Sequence, residues 1–201
     1  KENGYLEYKD RPQDYNIIET TLDYKTGKTY GEFKKNKKDL SKFKPATYIL
    51  VTGSIDDSGE DIPEIKQKII REIFNNSDNS DGKHIKFLLG SQVMNEGITL
   101  ENVKEVHILD VHYNLGRVDQ VIGRAIRQCK HYKITNEKNQ FPEVKIYKYV
   151  VKVDKGLSTE ENLYRKAELK YLLIKKVERA MKEISIDCPI NYHGNVFNEE
   201  T

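Results

Sequence analysis

The stretch "HIKFLLGSQVMNEGITLENVKEVHILD", residues 84–110, contains two short apolar runs. "HIKFLLG" (84–90) stops at Gly90-Ser91, and "VKEVHILD" (103–110) stops at Asp110. Runs of this length that end at turn residues read as buried strands. Between them lies a crossover that carries Gly97 after Glu96, where a glycine permits a tight backbone bend.

Upstream, "TYILV" (47–51) is a third such run, ending at Thr52-Gly53. The segment between, "DIPEIKQKIIREIF" (61–74), places Ile62, Ile65, Ile69, Ile70 and Ile73 near helical spacing, with Pro63 suited to a first turn. Downstream, "RVDQVIGRAIRQC" (117–129) reads as a helix, weakened by Gly123 by about 1 kcal/mol relative to Ala. "EVKIYKYVVKV" (143–153) alternates and reads as a fourth strand. Strand, helix, strand, crossover, strand, helix, strand is the rhythm of a parallel sheet with helices on its faces. In such sheets active residues sit on loops past the carboxyl ends of the strands. Gly53-Ser54, Gly90-Ser91 and Asp110 occupy that edge.

The flanks differ in character. In residues 1–45 the periodicity is weak, and "NGYLEY" reads as a helix end or a strand start. "DYKTGKTYGEF" reads as a turn between short strands. The basic run "KKNKKDLSKFK" follows, either a solvated loop or an insertion whose Lys35, Lys37 and Lys38 meet phosphates. At the other end, residues 158–187 form one long helix opened by a Ser158/Glu161 capping box. That helix either braces the sheet or presents its lysine-rich face to a partner. Three segments result: 1–45, a domain over 46–153, and an extension over 154–201.

The chain has 201 residues, with Lys+Arg 34 against Asp+Glu 32. So balanced a charge excludes a basic global field, and any nucleic-acid contact must come from a local patch. Cys129 and Cys188 lie far apart and form no metal spacing, so no metal site is expected. Two thiols and no secretory pattern suggest a reducing compartment. No apolar run approaches membrane-spanning length, so no membrane association is expected.

The decisive chemical feature is Gln120-x-x-Gly123-Arg124-x-x-Arg127. Two arginines three apart on a helix are near neighbours, and a guanidinium fork suits phosphate oxygens. From spacing alone, an exposed pair making weak surface salt bridges is the favoured reading. Taken in order, "VTGS", "REIFNN", "IKFLLGSQVMNEGITLENVKEVHILD" and "YNLGRVDQVIGRAIRQCKH" resemble the second RecA-like domain of superfamily 2 helicases. The tail "AMKEISIDCPINYHGNVF" resembles the poxvirus and giant-virus group that includes the early transcription factor small subunit and nucleoside triphosphate phosphohydrolase I.

The resemblance covers about 46–197. It implies a RecA-like α/β fold, a P-loop NTPase fold without its own P-loop, with a C-terminal helical extension. It also implies that Arg124 and Arg127 act on the ATP γ-phosphate, with Gln120, Gly97, Thr99 and Gly123 near the nucleotide. Thr52, Gly53, Ser54, Ser91 and Gln92 would contact DNA or RNA.

No G-x-x-x-x-G-K-[ST] and no acidic D-E box occurs in the chain. By the resemblance, ATP and Mg²⁺ are held mainly by a first RecA-like domain of the same polypeptide, and this chain alone is inactive. RNA polymerase or transcription-factor subunits are further expected partners, and the expected location is intracellular, in host cytoplasm or virion. The alternative is a non-catalytic RecA-like scaffold in a transcription factor. The first strand of the domain is expected to be missing, because "KENGYLEY" looks like the end of the helix after it. His107 is expected to be a core or cleft residue.

Overall fold

The computed structural model describes residues 4–36, 40–52, 54–56, 59–91, 98–110, 112–127, 131 and 142–185. They divide into two compact units, 1–106 with 121–145, and 107–120 with 146–201.

The first unit is built on a three-stranded parallel sheet. β2 (Thr47–Val51) sits at its centre, between β1 (Leu6–Glu7) and β5 (Phe87–Gly90). Register places Tyr48 beside Phe87 and Val51 beside Gly90. The antiparallel hairpin β3 (Ser54–Asp56) and β4 (Gly59–Asp61) follows β2. The N-terminal stretch therefore supplies a strand, not the end of a helix. Leu6 N–H donates to the Ala46 carbonyl and Tyr8 N–H to that of Tyr48. Residues on both sides of the expected 45/46 boundary thus share one sheet.

The sheet buries one face. Ile49, Val51 and Ile85 form a core with Ile62, Ile70, Ile98 and Leu100. Leu50, Phe87 and Leu89 on the other face remain 40–47% exposed, so these strands are not the doubly buried kind expected from their apolar runs. Tyr5 packs edge-on against Phe87 there, with ring centroids 5.1 Å apart.

Helix α2 (Glu64–Ile69) starts at Pro63, whose fixed φ and missing N–H suit a helix entry. It then widens into a π-turn over Ile70–Phe74, closed by Asn75 N–H on the Ile70 carbonyl at 2.9 Å.

Before β2, the expected turn between strands is a single bridge, Leu22 to Thr29, with Gly27 at φ +66. The basic run is partly helical, not a plain loop. α1 (Tyr30–Lys35) begins with a Thr29/Glu32 capping box. Phe33 and Phe43 are buried against each other, 5.3 Å apart and edge-on.

β6 (Glu105–Ile108) pairs with β7 (Lys145–Lys148). Lys145 N–H meets the Lys104 carbonyl and Tyr149 N–H meets that of Ile108, so both strands advance together and the pair is parallel. His107 is exposed, contrary to the core expectation. It stacks on Tyr147 at 4.8 Å and its Nδ1 lies 2.8 Å from the Tyr149 hydroxyl.

α3 (Leu115–Ala125) is capped by Asn114, whose side-chain oxygen accepts from Gly116 N–H at 3.0 Å. α4 (Thr159–Glu183) carries the expected Ser158/Glu161 capping box. Within its own unit, Val151 N–H donates to Glu160 near its start, and the Tyr171 hydroxyl at its middle donates to Asp119 at 2.7 Å. Along this helix Leu169, Leu173, Val177 and Met181 are more than half exposed.

Candidate functional site

The site begins with a short segment outside any strand or helix, Ile98–Glu101. Ile98 and Leu100 are buried in the core of the first unit. With alternate residues directed inward, Thr99 between them points the other way. Its hydroxyl accepts a hydrogen bond from Arg127 Nη1 at 2.7 Å. Arg124 Nη1 approaches the Ile98 carbonyl at 3.4 Å, the long end of hydrogen bonding. The two arginines of the expected pair therefore reach adjacent residues of this segment, Arg124 to Ile98 and Arg127 to Thr99.

The helix that carries Arg124 is shorter at its C-terminal end than its sequence suggests. It ends at Ala125, not Cys129, and Arg127 lies beyond it. The last carbonyls of a helix have no intrahelical partner. Here Leu100 N–H takes the Arg124 carbonyl at 3.3 Å, and the His131 ring takes that of Ala125 at 3.0 Å. A carbonyl only accepts, so His131 Nε2 carries the proton. That contact lies at the C-terminus of the helix.

Arg124 is half-buried and Arg127 exposed. Gln120 is exposed in α3. A side-chain carbon at Gly123 would meet nothing within 4 Å, so the fold itself does not require glycine there. Gly97 lies outside the described residues, as do Gln92, Gly53, Lys37 and Lys38.

At the sheet edge, Ser91 N–H donates to the Val51 carbonyl at 3.1 Å. This bond sets Ser91 beside Thr52, and both are exposed past the carboxyl ends of β2 and β5. Ser54 opens β3. Lys35 is exposed in the last turn of α1. A concave surface nearby in sequence is lined by Lys25, Lys42 and Lys44 with Thr26 and Ser41. Asp23 anchors this turn, accepting from the Thr26 and Lys44 N–H groups and the Thr26 hydroxyl. Burial pushes the Asp23 carboxyl up, and these donors, with Lys25 N–H, outweigh it and hold it below its ordinary value.

Asn75 is the residue that sequence reading missed. Its side-chain amide donates to the Thr99 carbonyl and accepts from Glu101 N–H, both at 2.9 Å. It follows "REIF", and no local pattern distinguishes it from a surface asparagine. Among the described residues no group of three or more His, Cys, Asp or Glu is placed to hold a metal ion. No helix there is long and apolar enough to cross a membrane.

Residues 63–129 match the helicase conserved C-terminal domain. This segment is a helicase C-terminal domain, the second RecA-like lobe of superfamily 2. Over 200 residues the chain is 55% identical to "Putative ATP-dependent RNA helicase L377" of Acanthamoeba polyphaga mimivirus, covering 98% of this chain and 17% of that protein. It is 33% identical over 141 residues to "Putative helicase 087L" of Invertebrate iridescent virus 3, covering 69% of this chain and 14% of the relative. It is 29% identical over 146 residues to an "Early transcription factor large subunit homolog" of African swine fever virus, covering 72% of this chain and 12% of that protein. The transcription-factor relative bears a large-subunit name, where the motif resemblance pointed to the small one. The chain spans less than a fifth of the length of each of these relatives.

Proposed function

We propose that this helicase C-terminal domain is the second motor lobe of an ATP-dependent translocase acting on nucleic acid in viral transcription. In this reading Arg124 and Arg127 complete an ATP site whose phosphate cradle and Mg²⁺ ligands belong to a first RecA-like lobe. The observation that carries it is the placement of Arg127, exposed at the end of α3 and oriented by the Thr99 hydroxyl. A guanidinium has five N–H donors in a planar fork, and Thr99 takes one.

The residues present fit a triphosphate in part. Bound MgATP would supply a γ-phosphoryl group whose transfer to water spreads negative charge over its equatorial oxygens. Arg127 and the neighbouring Arg124 offer charge-assisted donors to such oxygens.

Thr52 and Ser91 present small hydroxyls side by side at the sheet edge. Groups of that kind hold phosphates without reading bases. Lys35, with Lys37 and Lys38 outside the described residues, would add a local basic contact to a chain whose net charge is only +2. Alternating closure on ATP and release after hydrolysis would then shift this grip along a strand.

The test is nucleic-acid-stimulated ATPase of the complete protein with Arg124→Ala and Arg127→Ala. Loss of a transition-state arginine is expected to cost roughly 10³-fold or more in turnover. Unchanged turnover in both variants would leave the scaffold reading instead.

A further inference from the structure

We propose that Asn75 is a positioning residue for Arg127, acting through the Thr99 segment; this rests on the motor reading above. The π-turn at the end of α2 is where the assignment starts. Its closing bond, Asn75 N–H to the Ile70 carbonyl, ends the helix one residue later than an α-turn would. π-turns recur at functional sites, where they re-aim a side chain. Here the side chain re-aimed is an amide, set against the backbone of the Ile98–Glu101 segment.

The two bonds of that amide straddle Leu100. Nδ2 donates to the Thr99 carbonyl and Oδ1 accepts from Glu101 N–H. The partners fix this orientation, since a flipped amide would set oxygen against carbonyl and N–H against N–H. Asn75 therefore acts as a piece of neighbouring strand, satisfying one donor and one acceptor of an otherwise irregular segment. Fixing the segment's register keeps Ile98 and Leu100 inward and Thr99 toward Arg127. A slip of one residue would reverse all three.

The chain of contact is continuous and lies within one unit: Ile70 carbonyl, Asn75, Thr99, Arg127. Asparagine suits the task by chemistry as well as reach. Aspartate would keep the acceptor for Glu101 N–H and oppose the Thr99 carbonyl with a negative oxygen. Alanine would leave both backbone groups to find other partners. Neither change touches Arg127 itself, so any effect on turnover must pass through the segment.

The experiment is a double-mutant cycle on the complete protein, with single-stranded RNA and DNA as the stimulating probes. Turnover and KM for ATP are measured for wild type, Asn75→Ala, Arg127→Ala and the double variant. Asn75→Asp is carried alongside in case the alanine variant folds poorly, and exchange of the Glu101 amide proton is followed in each. Asn75→Ala is expected to lower kcat on the order of 10- to 100-fold with KM little changed, as a misplaced catalytic group does. In the Arg127→Ala background the same change should have almost no further effect, and Glu101 exchange should accelerate in both Asn75 variants. Penalties that multiply across the cycle would mark Asn75 as merely structural and overturn the proposal, as would wild-type turnover in Asn75→Ala. If Arg127→Ala alone turns over normally, the motor reading falls first and this assignment with it.

Discussion

Arg127 donates from Nη1 to the Thr99 hydroxyl at 2.7 Å, which ties the end of α3 to the segment before β6. A hydroxyl accepts through a lone pair on a short, β-branched and therefore stiff side chain, so the guanidinium is directed as well as held. Thr99→Val keeps shape and removes the acceptor. Hydrogen bonds to charged groups contribute about 1.5–3 kcal/mol, so ATP turnover is expected to fall by roughly ten-fold or more. Thr99→Ser should recover most of the loss, because it restores the oxygen. Steady-state ATPase assays of the two variants, with urea melts to confirm unchanged folding, decide the matter. Equal activity in Val and Ser would show that the hydroxyl does not orient the arginine.

Gly123 offers a separation of stability from function. It lies inside α3, and a methyl there would meet nothing within 4 Å. Gly123→Ala is therefore expected to stabilise the helix by about 1 kcal/mol. If a nucleotide or another lobe closes over this exposed position, the same methyl obstructs it. The expected result is a higher denaturation midpoint together with lower ATP turnover. A variant that gains stability and loses no activity would show that glycine is dispensable for chemistry.

Parts of this architecture are legible in sequence because they are local. β2 coincides with "TYILV", a run of five with no competing pattern, and α4 with a capping box and a long periodic face. Where tertiary partners decide, sequence pattern loses its grip. β1 is two residues held by the backbone of β2, with no pattern of its own. The end of α3 is set by Leu100 N–H, which takes a carbonyl that would otherwise have continued the helix. The arginine pair is readable from its spacing, but its partner Thr99 is adjacent only in space. Asn75 is the extreme case, since its amide bonds to Thr99 and Glu101 reach residues more than 20 positions away.

Asp23 makes acid stability of the N-terminal turn predictable in sign. The residue is 3% exposed, and its carboxyl is held below its ordinary value of 3.8 by four donors against the opposing effect of burial. A carboxylate whose folded pKa is depressed binds fewer protons folded than unfolded. Its contribution is therefore complete above about pH 5 and is lost as pH falls through 3.8 toward the folded value. Urea midpoints measured from pH 6 down to pH 3 should decline, and Asp23→Asn should flatten that decline while lowering the midpoint at pH 6. An unchanged slope in Asp23→Asn would assign the acid sensitivity to other carboxylates.

Asn102 marks a place where the fold tolerates local cost. It adopts φ 58 with 8% exposure, and neither its amide nitrogen nor its oxygen meets a partner among the described residues. Left-handed backbone suits glycine better, and a buried unpaired polar group costs about 1–3 kcal/mol. Asn102→Gly is expected to raise stability by about 1 kcal/mol after lost packing is subtracted. Asn102→Ala removes the amide but keeps the unfavourable φ, so it should fall below Gly by roughly 1 kcal/mol. Chemical denaturation of the three proteins tests this order, and a destabilised Gly variant would mean that the amide holds a partner such as a buried water.

The lysines of the N-terminal stretch give the most direct reading of the nucleic-acid surface. Lys35 is exposed at the end of α1, a helix capped at Thr29 and pinned by buried Phe33. A charge fixed on such a base loses less freedom on meeting a phosphate than one on a loose loop. Each duplex phosphate neutralised contributes about 0.9 to the slope of log affinity against log salt, and each single-strand phosphate about 0.7. Replacing Lys35, Lys37 and Lys38 by Gln should therefore reduce the slope by roughly 2 to 3, if all three engage. The same substitutions at Lys166, Lys175 and Lys176 of α4 serve as a charge-matched control and should leave the slope in place. Parallel slopes for wild type and the Lys35 set would return the basic run to solvent and leave the sheet edge at Thr52 and Ser91 as the grip on the strand.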